Sequence, residues 1–269
     1  MIRPPAVAGR FYPDDTAELR TSLDSFLVKE IKTKKVRGLA CLVPHAGYIY
    51  SGRVAGEVYQ RMEIPSRVIL LGPRHYPRGA PLAILSQDAW QTPLGLAPID
   101  APLAEKIARA CPSLREDAVA HSAEHSLEVQ LPFLQRLAPS FAFVPIVMAS
   151  VPYNDLEALG RALAEVIRAE PEPILIVASS DMNHYEPDDV TRVKDGKAIE
   201  RILALEPREL FDTVRNEHIS MCGYGATVAM LIAAGALGAT RAELVRYATS
   251  GELNGDLREV VGYAGMIIT

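Results

Sequence analysis

Cysteine is scarce: the chain has three, Cys41, Cys111 and Cys222, in 269 residues. An odd and sparse set does not build a disulfide framework, and a reducing cytoplasm is the expected setting. Positive charge is not in excess either. Lys and Arg number 28 against 33 Asp and Glu, a formal net charge of −5, which gives nucleic-acid binding no electrostatic footing. The densest basic run, Lys32-Thr33-Lys34-Lys35-Val36-Arg37, is short and reads as a solvated helix end or loop. No apolar run reaches the length of a membrane-spanning helix, and the opening MIRPPAVAGRFYP lacks the apolar core of a secretory signal. Internal repeats and low-complexity linkers are absent. Nucleic-acid and membrane partners are therefore not expected.

What is present is an alternation of short apolar runs with amphipathic stretches. GLACLVP (38–44), SRVILLGP (66–73), FAFVPIVM (141–148) and PILIVASS (173–180) are continuous apolar runs, as buried parallel strands are. PLAILS (81–86) and the segment around Trp90 read as shorter strands or a hairpin. RAELVRYATSG and VVGYAGMIIT read as closing strands. Between them lie helical spacings: AELRTSLDSFLVKEI behind Asp14-Asp15-Thr16, SGRVAGEVYQRM, APLAEKIARACP ending at Pro112, NDLEALGRALAEVIRAE, VTRVKDGKAIERILAL, PRELFDTVRNEH and the apolar YGATVAMLIAAGALG. EHSLEVQLPFLQRL (124–137) reads as a helix that Pro132 kinks or divides. The pattern predicts an α/β protein, one domain over residues 1–269, with a central mostly parallel (mixed) sheet flanked by helices on both faces. Ligands of such folds bind outside the carboxyl ends of the strands.

That rule singles out three of the six histidines. His45 follows the first run in PHAGY, His75 follows the second in GPRHY, and His184 follows the fourth in SSDMNHYEP with Asp181 and Asn183. Each also fits a plain strand-end turn, since Pro44, Gly47, Gly72 and Pro73 bracket the first two. Three such slots filled by histidine favour a site. His121 and His125 stand four apart in HSAEHSLEVQ beside Glu124 and Glu128. The order H-S-A-E-H is not the zinc-protease H-E-x-x-H. Ser122 or Ser126 capping a helix is the plainer reading, with His125 and Glu128 supporting a site or facing its substrate. His218 reads as a cation near a helix end. Cys222 sits before Gly223 and Gly225 at the expected start of a helix, a setting that favours thiolate; the alternative is a small buried hydrophobe. Cys41 and Cys111 fit that alternative.

Taken together, RPPAVAGRFYP, PHAGYIYSG, LGPRHY, QTPLG, EHSLEVQLPFLQ, SSDMNHYEP, MCGYGA and GYAGMI resemble, in order and almost end to end, the Memo family, called AmmeMemoRadiSam system protein B in microbial genomes. That family is similar in fold to class III extradiol ring-cleavage dioxygenases, which hold non-haem Fe(II) on two histidines and a carboxylate; Memo proteins have cysteine in the carboxylate's place. Carried over by motif, His45, His75 and Cys222 are the implied metal ligands. Asp181 and His184 are implied to line the same pocket, His184 as acid and base, and with His125 they are the catalytic candidates. Arg74 before His75 and Asn183 before His184 depart from some relatives without removing a ligand. The implied cofactor is non-haem Fe(II), with copper or zinc as alternatives because a thiolate is a softer donor. Three functions follow. One is a metal-dependent redox enzyme acting on an unidentified small molecule. A second is a binding or signalling module that takes a peptide in the same pocket, as some Memo relatives are regarded as adaptors for phosphorylated receptor peptides. The third is a zinc hydrolase, since two histidines and a cysteine form a catalytic zinc set. The family name reflects gene neighbours that include a radical SAM protein, which implies a shared pathway.

Overall fold

The computed structural model describes residues 2–27, 35–138 and 140–269. Residues 32–34 of the basic run, and residues 28–31 at the end of the first expected helix, lie outside them. The chain opens with strand β1 (Ile2–Arg3) and helix α1 (Thr16–Phe26). Asp15 starts α1 by accepting from the backbone N–H groups of Ala17 and Glu18. Strand β2 (Ala40–Val43), helix α2 (Tyr48–Arg61) and strand β3 (Arg67–Pro73) follow. Next come β4 (Leu82–Ile84), β5 (Ala89–Thr92), β6 (Gly95–Pro98), α3 (Ala101–Ala110), β7 (Arg115–Glu116) and the single turn α4 (Ala118–His121). Helix α5 (Leu131–Leu137) leads to β8 (Ala142–Met148), α6 (Tyr153–Ala169), β9 (Ile174–Ser179) and β10 (His184–Glu186). The chain closes through α7 (Asp188–Leu203), α8 (Pro207–Asn216), α9 (Tyr224–Ala236), β11 (Ala242–Thr249), α10 (Gly251–Asn254) and β12 (Val260–Ile268).

The main sheet runs β10-β12-β2-β9-β3-β8-β4-β7, with β11 paired to β12. Its centre, β2-β9-β3-β8, is parallel. Strands β12 and β4 pair antiparallel on the two flanks, so the sheet is mixed. A small second sheet joins β1 to the β5-β6 hairpin. Along the central strands the side chains divide by the period of two. Ala40, Leu42, Ile69, Leu71, Ile176 and Ala178 pack toward α3, α6, α8 and α9. Cys41, Val43, Val68, Leu70, Leu175 and Val177 pack toward α1, α2 and α5. Both faces are thus buried, which is why the strands read as unbroken apolar runs.

The stretch 124–137 departs from the expected helix. Residues 128–130 form one 3-10 turn, and the α-helix begins only at Leu131, with Pro132 in its first turn. Proline lacks an N–H that this position does not need, so it opens the helix rather than kinking it. Neither serine caps: Ser122 Oγ donates to Val119 O, and Ser126 Oγ donates to Pro73 O. The cap belongs to Asp117, which accepts from Val119 N and Ala120 N ahead of α4. Residues 124–127 are thereby left as a loop against the end of β3. A Cβ on Gly72 would stand 2.7 Å from Leu127 Cδ2 and 2.8 Å from Ser126 Oγ, so any larger residue there obliges these side chains to shift.

Candidate metal centre

Strands β2, β9 and β3 are neighbours, and each ends by delivering a polar side chain to the same edge: His45, Asp181 and His75. His184 opens β10, Cys222 lies just before α9, and His125 comes from the loop after α4. All six line one cavity of about 590 Å³, walled further by Phe11, Tyr185, Ser220 and Tyr263. His121 is buried with its ring against Trp90, and His218 follows α8; neither lines the cavity. A larger recess of about 810 Å³ lies at the opposite ends of the strands and contains none of these groups.

His45, His75 and His125 each offer a ring nitrogen, and these atoms all lie within 4.8 Å of one another. The rings of His75 and His125 stack at 4.4 Å, and His45 stands edge-on to both. Hydrogen-bond counting fixes which nitrogen carries a lone pair. Ser179 Oγ spends its single proton on Ser126 O at 2.7 Å and accepts from Gln130 Nε2 at 2.9 Å. His45 Nδ1, 2.9 Å from that oxygen, must therefore donate. His75 Nδ1 lies 2.9 Å from Glu124 Oε1, and an ionised carboxylate only accepts. His184 Nδ1 lies 2.9 Å from the carbonyl of Ser220, while its backbone N–H donates to Ser220 Oγ at 2.7 Å. In all three rings Nδ1 keeps a proton, so in the neutral ring the lone pair is on Nε2.

Electrostatics agree. Burial, then the neighbouring His75, hold His45 well below the usual histidine range. Burial, then His45, bring His125 down to about 4. Burial alone would raise Glu124, but its hydrogen bonds from His75 and the adjacent imidazoles outweigh it and set the carboxyl at about 2. Glu124 is therefore ionised and the His45 and His125 rings are neutral at pH 7. Asp181, buried, is raised, although its Oδ1 accepts from His45 N at 2.7 Å. The helix-start argument for a Cys222 thiolate fails in the metal-free chain: burial, then the charge of Asp181, push the thiol up. Its Sγ lies 3.2 Å from His45 Nε2, where it donates to the lone pair. Tyr185, beside His184, holds a left-handed φ of 59° and exposes its ring at the cavity rim.

Sequence reading named the six residues that converge here and missed those that orient them. Ser179, Gln130 and Ser220 carry no signature of their own, because hydroxyls and amides are common. Glu124 was visible only as a neighbour of His125 on an expected helix.

An α/β sheet that gathers imidazoles, a thiol and a buried carboxyl past the carboxyl ends of its parallel strands defines a protein with a candidate metal centre. The chain belongs to the Memo-like protein family, whose model matches residues 3–267. A MEMO1 family protein of Aquifex aeolicus is 47% identical over 267 residues, covering 99% of this chain and 98% of that one. A second, of Methanopyrus kandleri, is 40% identical over 279 residues and 99% of each chain. In structure, the crystal structure of an uncharacterized protein from Escherichia coli K12 shares the fold, with a TM-score of 0.57 at 13% identity over 86% of this chain and 100% of that one. Among the described residues no helix is long and apolar enough to cross a membrane.

Proposed function

We propose that this Memo family protein binds a divalent transition metal at the histidine cluster and uses it for redox chemistry on a small molecule. The observation that carries the reading is the convergence of three imidazole nitrogens within 4.8 Å, with the His45 and His75 rings held from behind by acceptors. Metal-ligating histidines are oriented in this way by their second nitrogen. His45 and His75 are the shared pair; His125 completes a set of three nitrogens, and Cys222 adds a soft donor beside His45. Imidazole with thiolate suits iron, copper or zinc; we favour Fe(II). Bound there, the metal would supply Lewis acidity and a one-electron couple.

The chain's own residues have separate tasks. His184, its Nδ1–H tied to Ser220 O, presents Nε2 to the cavity as a proton acceptor. Asp181, raised by burial, can hold a proton beside it. Phe11 and Tyr263 give the cavity an aromatic wall. Among the described residues the cavity lining includes no lysine or arginine, the side chains that clamp a phosphate in phosphopeptide modules, which supports a small-molecule enzyme over a phosphopeptide module.

Metal analysis of protein purified without a metal-affinity tag tests the reading. Wild type should retain metal and a His45→Ala/His75→Ala variant should lose it. Equal content in the two sinks the proposal. Zinc as the resident ion, with no oxygen consumption across catechols, thiols and reductants, would favour a hydrolase.

A further inference from the structure

We propose that Glu124 is the positioning residue of this centre: one buried carboxylate orients His75 and fixes the loop that carries His125, so that both nitrogens meet at one point. The inference rests on the reading of the cluster as a metal site and names the group that preorganises it. Oε1 accepts from His75 Nδ1 at 2.9 Å and from the backbone N–H groups of His125 and Ser126, each at 2.8 Å. Oε2 accepts from the backbone N–H of His75 at 2.5 Å. Four donors on two oxygens tie the end of β3 to the loop across 49 positions of sequence. Arg3 Nη2 adds a hold from behind, donating to the Glu124 carbonyl at 2.7 Å.

The charge carries the second half of the argument. The Glu124 side chain is fully buried, and among the described residues its oxygens face the imidazoles of His75 and His125 with no lysine or arginine side chain paired to them. A buried carboxylate without a cation is costly. A divalent ion on the far nitrogens of those two rings would supply the missing positive charge through the imidazoles, and the carboxylate would in turn strengthen them as donors.

Cobalt(II) titration of the full metal-free chain, in competition with a chromophoric chelator, tests this. Glu124→Gln should weaken cobalt by roughly 10–100-fold and alter its ligand-field spectrum, while unfolding of the metal-free variant stays cooperative. Wild type that binds cobalt while Glu124→Gln binds it equally well, with the same spectrum, overturns the role of Glu124 and leaves the metal site standing. Wild type that binds none removes the metal site itself. Should Glu124→Gln fail to fold, nitrogen-15 histidine spectra of the metal-free wild type decide. His75 must carry its proton on Nδ1; a proton on Nε2 overturns the proposal.

Discussion

His45 Nε2 and Cys222 Sγ lie 3.2 Å apart although 177 positions separate them in the chain. Without metal the contact is a thiol donating to an imidazole lone pair. A metal ion bound there would displace that proton and make the sulfur a thiolate. Cobalt-loaded wild type should therefore show sulfur-to-metal charge-transfer absorption. Cys222→Ala should keep binding cobalt through the imidazoles without that absorption. A band that survives in the variant takes Cys222 out of the ligand set.

Acid should destabilise the metal-free protein before it reaches ordinary carboxylate pH. In the unfolded chain His125 titrates near 6.5, and in the fold near 4. Between those values the unfolded chain binds the extra proton, so stability present above pH 6.5 is lost as pH falls toward 4. His125 alone accounts for on the order of 3 kcal/mol. Burial drives His45 downward and His121 to about 3, in the same sense. Asp195, raised by burial to about 6 from 3.8, works oppositely within its own window. Thermal melts between pH 7 and 4 should show the midpoint falling with acid, and less steeply in His125→Asn. A flat wild-type profile contradicts the buried neutral imidazoles.

Glu128 holds the amino-terminal segment in place. Fully buried, it accepts from Ala6 N at 2.8 Å, Val7 N at 3.0 Å, Tyr12 Oη at 2.7 Å and Arg3 Nη1 at 2.6 Å. The Arg3 guanidinium lies 4.0 Å over the Trp90 ring. Glu128→Ala strands a buried cation and three further donors, and should cost about 3–5 kcal/mol in chemical denaturation. A loss below about 1 kcal/mol would mean the segment is held by its apolar contacts instead.

Gly72→Ala should damage fold and site together. The added methyl meets Leu127 and Ser126 inside normal contact distance, and overpacking of this kind costs typically about 1–3 kcal/mol. Because the obstructed loop carries His125 and Glu124, cobalt affinity should fall as well. A stability loss with unchanged cobalt affinity would show that the loop re-seats without moving its ligands.

The parts of the fold that were legible were those with one physical cause. ACLV, RVILLGP and ILIVAS are covered on both faces, so composition alone marks them as buried strands. Strand β10 was not legible: three residues make no pattern, and its pairing with β12 depends on a distant segment. The 124–127 loop misled because Leu127, Leu131 and Leu134 keep helical spacing while Glu124 captures the N–H groups of His125 and Ser126 from the side. For the site, strand ends gave His45, His75 and His184, since topology alone brings those positions together. The sequence left Cys222 open between a thiolate and a small buried group, because helix position was visible in sequence and depth of burial was not.

The two ends of the described chain have unequal influence on the cavity. Residues 2–12 are pinned through Arg3 and Glu128, and Phe11 packs 4.7 Å from the His125 ring. Strand β12 leaves toward Ile268, which pairs with Ala40 at the start of β2, the far pole of the sheet. A polyhistidine leader would compete for the ion, so metal contents measured on such protein would report the leader as much as the fold. A purification handle placed after Thr269 would keep foreign imidazoles away from the centre.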